Sequence, residues 1–154
     1  MQLWRISNYE SLNGAGGLRA SARWHTKGRP IVYLSGSAAG ALVETLVHLN
    51  GRLSKTPNTY KLLRIEVPDA LRITDLSGTL AKNWKDDFVL TRRLGDEWLR
   101  AEESGLARIA SAIMPDSPNY LLNPMHRDAG LLQIAAVMEE RYDPRLFKQD
   151  PPLI

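Results

Sequence analysis

Apolar residues recur at helical spacing in two stretches of the chain. Within residues 38–50 the apolar positions return every three or four residues, and Ser37 stands in front of them as an N-cap. The same kind of pattern covers residues 91–103, with Gly105 just beyond it as a stop signal. The pattern therefore predicts two helices over these ranges.

Short runs rich in β-forming residues, bounded by Gly, Pro or Asn, predict seven strands. The runs cover residues 3–7, 31–35, 60–67, 71–75, 109–114, 120–123 and 131–137. Strands outnumber helices and do not alternate with them regularly, so we predict an α+β fold rather than a doubly wound α/β sheet. Residues 50–58 and 75–87 show neither pattern and are expected to be surface loops.

The composition is that of an ordinary globular protein. With 154 residues, 44% of them hydrophobic and 24% charged, the chain suits one domain with a real core. No apolar run approaches the roughly 18–20 residues of a membrane span, and the first residues lack a signal-peptide pattern. The chain has no cysteine, and its three histidines do not fall at metal-binding spacing. We expect a cytoplasmic protein with no membrane association, no disulfide and no bound metal.

The net charge of +3 conceals an asymmetry along the chain. Residues 1–64 hold nine Lys and Arg against two Glu, a balance of +7, whereas residues 65–154 hold eleven against fifteen acidic residues, a balance of −4. Nucleic-acid-binding proteins usually cluster their basic residues on one helix or stripe. Here the basic residues of the first part are scattered through turns and short strands. This distribution suits a small anionic ligand, such as a phosphate ester, at least as well as a nucleic acid.

The segment Gly-Ala-Gly-Gly at residues 14–17 lacks the signatures of the two common nucleotide-binding loops. We therefore predict a flexible turn at this position. The chain also contains no Gly-x-Ser-x-Gly, which removes the commonest signal of a serine hydrolase.

The first predicted helix has a polar side that invites a functional interpretation. Its apolar stripe, which we expect to pack in the core, consists of Leu42, Val43, Leu46 and Val47. Glu44 and His48 lie on the opposite side, four residues apart. One interpretation is a solvent-exposed Glu–His pair. The other is that this side lines a cleft, where a carboxylate stabilises a developing positive charge or accepts a hydrogen bond from a sugar hydroxyl.

Four further side chains have two interpretations each. Arg5, on a strand flanked by apolar residues, needs either a carboxylate or a bound anion as its partner. Arg23 follows the glycine-rich segment and either is solvated surface or holds a phosphate with two hydrogen bonds. Tyr33 is either an ordinary sheet tyrosine or a stacking platform for an aromatic ring. Ser111, between two alanines in a predicted strand, is by default a small core residue.

Taken in order, these segments resemble the motifs of the RES domain, a family named for an Arg, a Glu and a Ser. The matching segments are residues 3–7 (LWRIS), 22–28 (ARWHTKG), 31–35 (IVYLS), 41–49 (ALVETLVHL), 94–99 (LGDEWL), 111–114 (SAIM) and 119–126 (NYLLNPMH). The resemblance covers about residues 2–145. It departs from the family pattern at Ala110, where a Pro is frequent, and before Arg23, where Gly-Gly is usual.

The resemblance implies a single RES domain with its core at about residues 2–145 and a short C-terminal tail. It implies a mixed, split β-sheet with surrounding helices, related to the ADP-ribosyltransferase fold. The implied activity is that of a type II toxin–antitoxin toxin that cleaves the nicotinamide–ribose bond of NAD, giving nicotinamide and ADP-ribose 1''-phosphate by phosphorolysis. The alternatives are transfer of ADP-ribose to a protein, hydrolysis, an RNA-targeting toxin, and a binding module without catalysis.

The resemblance also points to particular residues. They are the catalytic Glu44, Tyr33 and Arg5, the NAD-binding Arg23 and Ser111, and, in a supporting role, His48 and Asn123. Glu44 would stabilise the positively charged ribose, and the two arginines would bind the pyrophosphate or an attacking phosphate. Tyr33 would pack against the nicotinamide ring, and Ser111 would hydrogen-bond the ribose or the amide.

The resemblance implies that no cofactor is required, because NAD is the substrate, with inorganic phosphate as the co-substrate in the case of phosphorolysis. The implied partner is a cognate Xre-type helix-turn-helix antitoxin that covers the active site, an arrangement compatible with a homodimer of this chain within the complex. The antitoxin, not this chain, would bind DNA, so we expect no direct nucleic-acid binding here. The balance of +7 over the first 64 residues suits a doubly phosphorylated substrate.

Overall fold

Seven strands form one mixed sheet in the computed structural model, which describes residues 1–49, 58–78 and 80–147. The strands are β1 (Gln2–Ile6), β2 (Val32–Ser35), β3 (Thr59–Glu66), β4 (Ile73–Asp75), β5 (Leu106–Ala110), β6 (Pro118–Leu122) and β7 (Gln133–Arg141). Their order across the sheet is β4-β5-β6-β2-β1-β3-β7. The β4–β5 pair is parallel, and the other neighbouring pairs are antiparallel. The prediction of an α+β fold with a mixed sheet is confirmed.

Three α-helices accompany the sheet in the described part of the chain. They are α1 (Ala15–Arg19), α2 (Ala38–His48) and α3 (Phe88–Ala101), and two 3-10 turns, Ala129–Leu131 and Pro144–Leu146, flank β7. In the predicted loop at 75–87, Asp75 is the last residue of β4, and the other described positions belong to neither a helix nor a strand. Nearly all of the predicted loop at 50–58, and the C-terminal tail from residue 148, lie outside the described residues.

Two apolar clusters cover the two faces of the sheet. In β6, Tyr120 and Leu122 belong to one cluster and Leu121 to the other, because successive side chains of a strand point to opposite faces. The second cluster contains Trp24, Trp84 and Trp98, the last of them supplied by α3. This cluster therefore holds α3 and the segment around Trp24 against the same face of the sheet.

Helix α2 does not bury the apolar stripe that the sequence predicts. Ala41 is its one buried residue; within the stripe Leu42, Val43 and Leu46 are only half-buried, and Val47 is 51% exposed. Gly40 allows a close approach to β2, since a Cβ at this position would overlap the hydroxyl oxygen of Ser35. The prediction of a core-packed stripe is therefore wrong. The side of α2 that bears Glu44 is the side that faces the sheet and the cleft described below.

The helix ends depend on capping side chains. Ser37 caps α2 as predicted, because its hydroxyl oxygen accepts the N–H of Gly40 at 3.0 Å. Helix α3 begins earlier than predicted because the carboxylate of Asp87 accepts the N–H of Leu90 at 2.9 Å. It ends at Ala101, followed by Glu102 in the left-handed conformation (φ 50°). The prediction that Gly105 ends this helix is therefore wrong.

The fifth strand is displaced from its predicted range of 109–114. The chain turns after Ala110 because the hydroxyl oxygen of Ser111 accepts the N–H groups of Ile113 (3.2 Å) and Met114 (3.1 Å). Ser111 therefore follows the end of β5 instead of lying within a strand, and the prediction of a strand core position is wrong. Strand β7 also differs, since it begins two residues after position 131 and runs to Arg141.

The glycine-rich segment forms α1, so the prediction of a flexible turn is wrong. Gly14 has a φ of 71°, a backbone conformation that residues other than glycine rarely adopt. Gly17 approaches the backbone of Arg29 so closely that a Cβ would overlap its carbonyl oxygen. These glycines fix the segment, which places residues 16–17 and 20–23 along the cleft.

Candidate active site

A cleft with a volume of about 680 Å³ opens between α2, strands β1 and β2, and the segment from α1 to Arg23. This volume lies within the usual range of small-molecule sites. The cleft collects five of the residues singled out from the sequence: Arg5, Arg23, Tyr33, Glu44 and His48. Ser111 reaches the cleft through a hydrogen bond to one of them, and Asn123 lies elsewhere.

Glu44 is held by two donors from outside α2, Ser111 in the turn after β5 and Asn119 in β6. Its Oε1 accepts a hydrogen bond from the Ser111 hydroxyl at 2.8 Å and another from Asn119 Nδ2 at 2.7 Å. Both bonds end on the same oxygen, so Oε2 has no hydrogen-bond donor among the described residues. The carboxylate is thereby fixed in orientation while one oxygen stays open to a ligand.

Tyr33 is fixed at its hydroxyl group and presents its ring to the cleft. The hydroxyl oxygen accepts the backbone N–H of Trp24 at 3.1 Å and lies 2.9 Å from Nδ1 of His25. Nε2 of His25 donates to the carbonyl oxygen of Ala20 at 2.9 Å, so in the neutral ring Nδ1 is the acceptor and Tyr33 donates to it. Burial lowers the pKa of His25, which favours this neutral form. Burial also raises the pKa of the Tyr33 hydroxyl above its usual range.

Arg5 is half-buried, and its Nη1 donates to the carbonyl oxygen of Ser11 at 2.9 Å. Burial lowers its pKa from the ordinary value. It makes no ion pair with a carboxylate among the described residues. The carboxylate partner that the sequence allows for Arg5 is thus absent from the described residues, and its remaining N–H donors are available to a ligand.

Arg23 lies against an aromatic wall of the cleft. Its guanidinium carbon is 4.3 Å from the ring centre of Phe88 and 5.8 Å from that of Trp84, and its Nη1 donates to the carbonyl oxygen of Lys85. It likewise forms no ion pair with the carboxylates that the structure describes. Stacking and one backbone bond fix the guanidinium and leave further N–H donors for a ligand.

Helix α3 holds the segment that bears Arg23 and His25. The hydroxyl of Thr91 donates to the Arg23 carbonyl oxygen at 2.6 Å. Asp96 accepts the N–H of Thr26 at 3.0 Å and its hydroxyl at 2.6 Å. Between them, Gly95 lies so close to the backbone of Trp24 that a Cβ would overlap its carbonyl oxygen. The spacing of these α3 residues places them on one side of the helix, which therefore positions the segment 22–26.

The two supporting candidates occupy different surroundings. His48 lies at the exposed C-terminal end of α2, on the cleft. Asn123 is buried away from the cleft, where its Oδ1 accepts the N–H of Met125 at 3.0 Å and its backbone N–H bonds Gly105. Its observed contacts hold the end of β6 and do not reach the cleft.

Three residues of the site were not singled out from the sequence: Asn119, His25 and Arg92. Asn119 lies in β6, and an asparagine inside a strand is unusual enough to have been a signal. His25 lies two residues after Arg23 within a family motif. Arg92 gives no local signal, because in sequence nothing distinguishes it from Arg93 and Arg100, the two exposed arginines of the same helix.

The site combines one carboxylate with a set of cleft arginines, which suits a substrate that is anionic at one end and develops positive charge at the other. Among residues 1–49, 58–78 and 80–147, no group of three or more His, Cys, Asp or Glu side chains is arranged to hold a metal ion. In the same part of the chain, no helix is both long and apolar enough to cross a membrane.

Comparison with known proteins gives consistent matches along the chain. The RES domain matches residues 2–145. Toxin Res from Pseudomonas putida is 46% identical over 149 residues, which cover 96% of this chain and 100% of that protein. The Prs ADP-ribosylating toxin from a Sphingobium species is 34% identical over 157 residues, which cover 95% of this chain and 96% of that protein.

A solved structure shares the fold. A chain of the M. tuberculosis MbcT–MbcA toxin–antitoxin complex superposes with a TM-score of 0.75 over 91% of this chain and 84% of its own length. Its sequence is 19% identical to this one. The fold is thus retained although most residues differ.

Proposed function

This chain belongs to the RES-domain family, and we propose on that premise that it is a toxin of a bacterial type II toxin–antitoxin system that consumes NAD. The proposed reaction is cleavage of the bond between nicotinamide and ribose. The observation that supports it best is the Glu44 carboxylate, which lines the cleft with Oε1 bonded by Ser111 and Asn119. A carboxylate fixed in this way, with one oxygen open, suits the charge that develops on a sugar when its glycosidic bond breaks.

In this reaction the positive charge moves from the nicotinamide to the ribose. The electron pair of the glycosidic bond passes to the ring nitrogen, so nicotinamide leaves as a neutral molecule and the ribose becomes oxocarbenium-like. Glu44 stabilises that charge at Oε2. An oxygen lone pair of the acceptor then forms the new bond to the anomeric carbon. The leaving group needs no proton, so the step requires no general acid.

Arg5 and Arg23 bind the anionic part of the substrate in this proposal. Each guanidinium is fixed by one backbone carbonyl oxygen and has N–H donors left for a phosphoryl group. Tyr33 accounts for the nicotinamide, against which its ring packs. Its hydroxyl is engaged with Trp24 and His25, so the ring face is the part that remains for a ligand.

We propose inorganic phosphate as the acceptor, with nicotinamide and ADP-ribose 1''-phosphate as products. A cleft rich in arginine attracts a phosphate ion as it attracts the substrate. Transfer of ADP-ribose to a protein is the second candidate. It is favoured by one specific observation, the 34% identity to a Prs ADP-ribosylating toxin over nearly the whole chain.

Product analysis tests the proposal and separates the acceptors. The purified chain is incubated with NAD, with and without phosphate, and in parallel with RNA, and the products are identified by mass spectrometry. Phosphorolysis gives ADP-ribose 1''-phosphate only when phosphate is present, whereas hydrolysis gives ADP-ribose in both samples. Protein transfer requires an added acceptor and increases the acceptor's mass by one ADP-ribose. Loss of RNA with NAD left intact would refute the proposal.

A toxin of this kind requires an inhibitor in the same cell. We propose a cognate Xre-type helix-turn-helix antitoxin that covers the cleft, with the complex in the cytoplasm, where NAD is available. The fold is shared with a chain from a solved toxin–antitoxin complex, which supports a partner of this type. A homodimer of the toxin within that complex is part of the same proposal.

A further inference from the structure

Arg92 of α3 lines the same cleft as Arg5 and Arg23, although no motif of the sequence points to it. Its Nε donates to the carbonyl oxygen of Ala22 at 2.8 Å. Neither of its Nη groups donates to any described residue. A guanidinium has five N–H donors, so four remain open to a ligand within this part of the chain.

The acidic side chains near Arg92 are committed to other partners. Asp96, one helical turn along α3, is in the position where an ion pair with Arg92 is normally expected. Its carboxylate instead accepts hydrogen bonds from Thr26 and pairs with Arg29 at 3.1 Å. Asp87 caps the start of α3 through the N–H of Leu90. Among the described residues, Arg92 therefore has no carboxylate partner.

Arg92 and Arg23 share one aromatic ring. Their guanidinium carbons lie 5.5 Å and 4.3 Å from the ring centre of Phe88. Two like charges are thus held close to one point of the cleft wall, each fixed by a backbone carbonyl oxygen. Such a pair repels itself unless an anion lies between its members, and a diphosphate offers two phosphoryl groups to two guanidinium groups.

We propose that Arg92 is a substrate-binding residue that holds the diphosphate of a dinucleotide together with Arg23. The proposal rests on the proposed function, because it takes the cleft to be the dinucleotide site. It adds a specific prediction, that the diphosphate lies beside Phe88 at the start of α3. Arg92 then contributes to binding of the diphosphate and not to binding of an adenosine without phosphate.

The test compares Arg92→Gln with Arg93→Gln, the neighbouring exposed arginine outside the cleft. Titration calorimetry measures the binding of ADP and of adenosine to each variant. We expect Arg92→Gln to weaken ADP binding about tenfold, the usual effect of one lost charge-assisted hydrogen bond, and to leave adenosine binding unchanged. Arg93→Gln should change neither. Wild-type affinity of Arg92→Gln for ADP would overturn the proposal.

A second comparison excludes an indirect effect through Ala22. If Arg92 merely braced the segment that bears Arg23, Arg92→Gln would have no further effect in an Arg23→Gln background. Direct contact predicts that the two losses of ADP affinity add in the double variant. If Arg92→Gln fails to fold, Arg92→Lys decides: direct contact predicts a loss of several-fold in ADP affinity, because an ammonium does not reproduce the planar fork. Unchanged affinity of this variant would overturn the proposal.

NAD turnover separates this inference from the proposed function. We expect Arg92→Gln to raise KM for NAD about tenfold with little change in kcat. A wild-type KM in this variant, with NAD still consumed, refutes the role of Arg92 alone. If the wild-type chain consumes no NAD but ADP binding still depends on Arg92, the anion site stands and the proposed function falls.

Discussion

Glu44 joins three separate parts of the chain at one oxygen atom. The side chain comes from α2, the Ser111 donor from the turn after β5, and the Asn119 donor from β6. A glutamine at position 44 would still offer an oxygen acceptor to both donors. The substitution therefore removes the charge while it keeps the local hydrogen bonds.

We expect Glu44→Gln to reduce NAD consumption about 100-fold or more, because charge stabilisation of the transition state is lost. The midpoint of thermal unfolding should stay close to that of the wild type. Glu97→Gln, on the exposed side of α3, is the matched control and should retain turnover. Wild-type turnover in Glu44→Gln would show that the carboxylate does not act on the substrate.

Tyr33 allows its ring and its hydroxyl to be tested separately. Tyr33→Phe keeps the ring but leaves Trp24 N–H and His25 Nδ1 without their partner, so we expect a loss of about 1–3 kcal/mol in the free energy of unfolding. NAD turnover should stay within a few-fold of the wild type, whereas Tyr33→Ala should abolish it. Denaturant titration and NAD assays measure both effects, with the exposed Tyr9→Phe as the stability control. Equal loss of turnover in Tyr33→Phe and Tyr33→Ala would assign the role to the hydroxyl instead.

At the scale of elements, α3 acts on the site without supplying the carboxylate. It fixes the segment 22–26 through Thr91, Asp96 and the close contact of Gly95 with Trp24. That segment bears Arg23, whose guanidinium lines the cleft. The position of the arginine therefore depends on how closely α3 and this segment approach each other.

Gly95→Ala tests this dependence. An alanine usually favours a helix over glycine by about 1 kcal/mol, but here its Cβ would overlap the Trp24 carbonyl oxygen. We expect a net loss of about 1–3 kcal/mol in the free energy of unfolding, together with weaker binding of ADP. Gly130→Ala, where a Cβ meets nothing within 4 Å, is the control and should leave both unchanged. A fully stable Gly95→Ala with wild-type ADP binding would contradict the positioning role of α3.

The elements that the sequence predicts well are those whose pattern is local. The strand over 60–67 and the Ser37 cap depend on neighbouring residues, and both agree with the structure apart from one-residue shifts. Helix α1 was not predictable, because its glycines serve close tertiary contacts instead of helix propensity. The end of β5 was missed because a serine that bonds the backbone looks, in sequence, like a small core residue.

The resemblance singled out Glu44 and Arg23, but it did not single out Asn119, although Asn119 opens one of the matching segments. Asn119 acts through Glu44, 75 positions away, and Arg92 contacts Ala22, 70 positions away. A periodic pattern in the sequence does not predict hydrogen bonds between residues so far apart, because these bonds form only when the strands and α3 have assembled.

On the scale of the whole molecule, the excess positive charge lies in the first part of the chain, which also supplies two of the cleft arginines. The part of the chain up to residue 64 has a balance of +7, and it supplies Arg5 and Arg23 to the cleft. A carboxylate of a partner protein can form there the same charge-assisted hydrogen bonds as a phosphate. We therefore expect the antitoxin to insert its C-terminal segment into the cleft.

Deletion of the last residues of the antitoxin tests this arrangement. Co-expression of the complete antitoxin should relieve toxicity, and the purified complex should leave NAD intact. The truncated antitoxin should still co-purify with the toxin but allow NAD loss, which is measured on the complex. Full inhibition by the truncated antitoxin would mean that the cleft is silenced by another route.

Arg5, Arg23 and Arg92 each donate a hydrogen bond to a backbone carbonyl oxygen of the protein itself. An untethered arginine loses up to about 2 kcal/mol of rotamer entropy when it is ordered. In this protein much of that rotamer entropy is already lost during folding. Binding of a ligand therefore costs little further ordering of these side chains. The like charges of Arg23 and Arg92 beside Phe88 repel each other, and a bound anion would offset that repulsion. An anion that fills the cleft should therefore also act as a ligand that stabilises the fold.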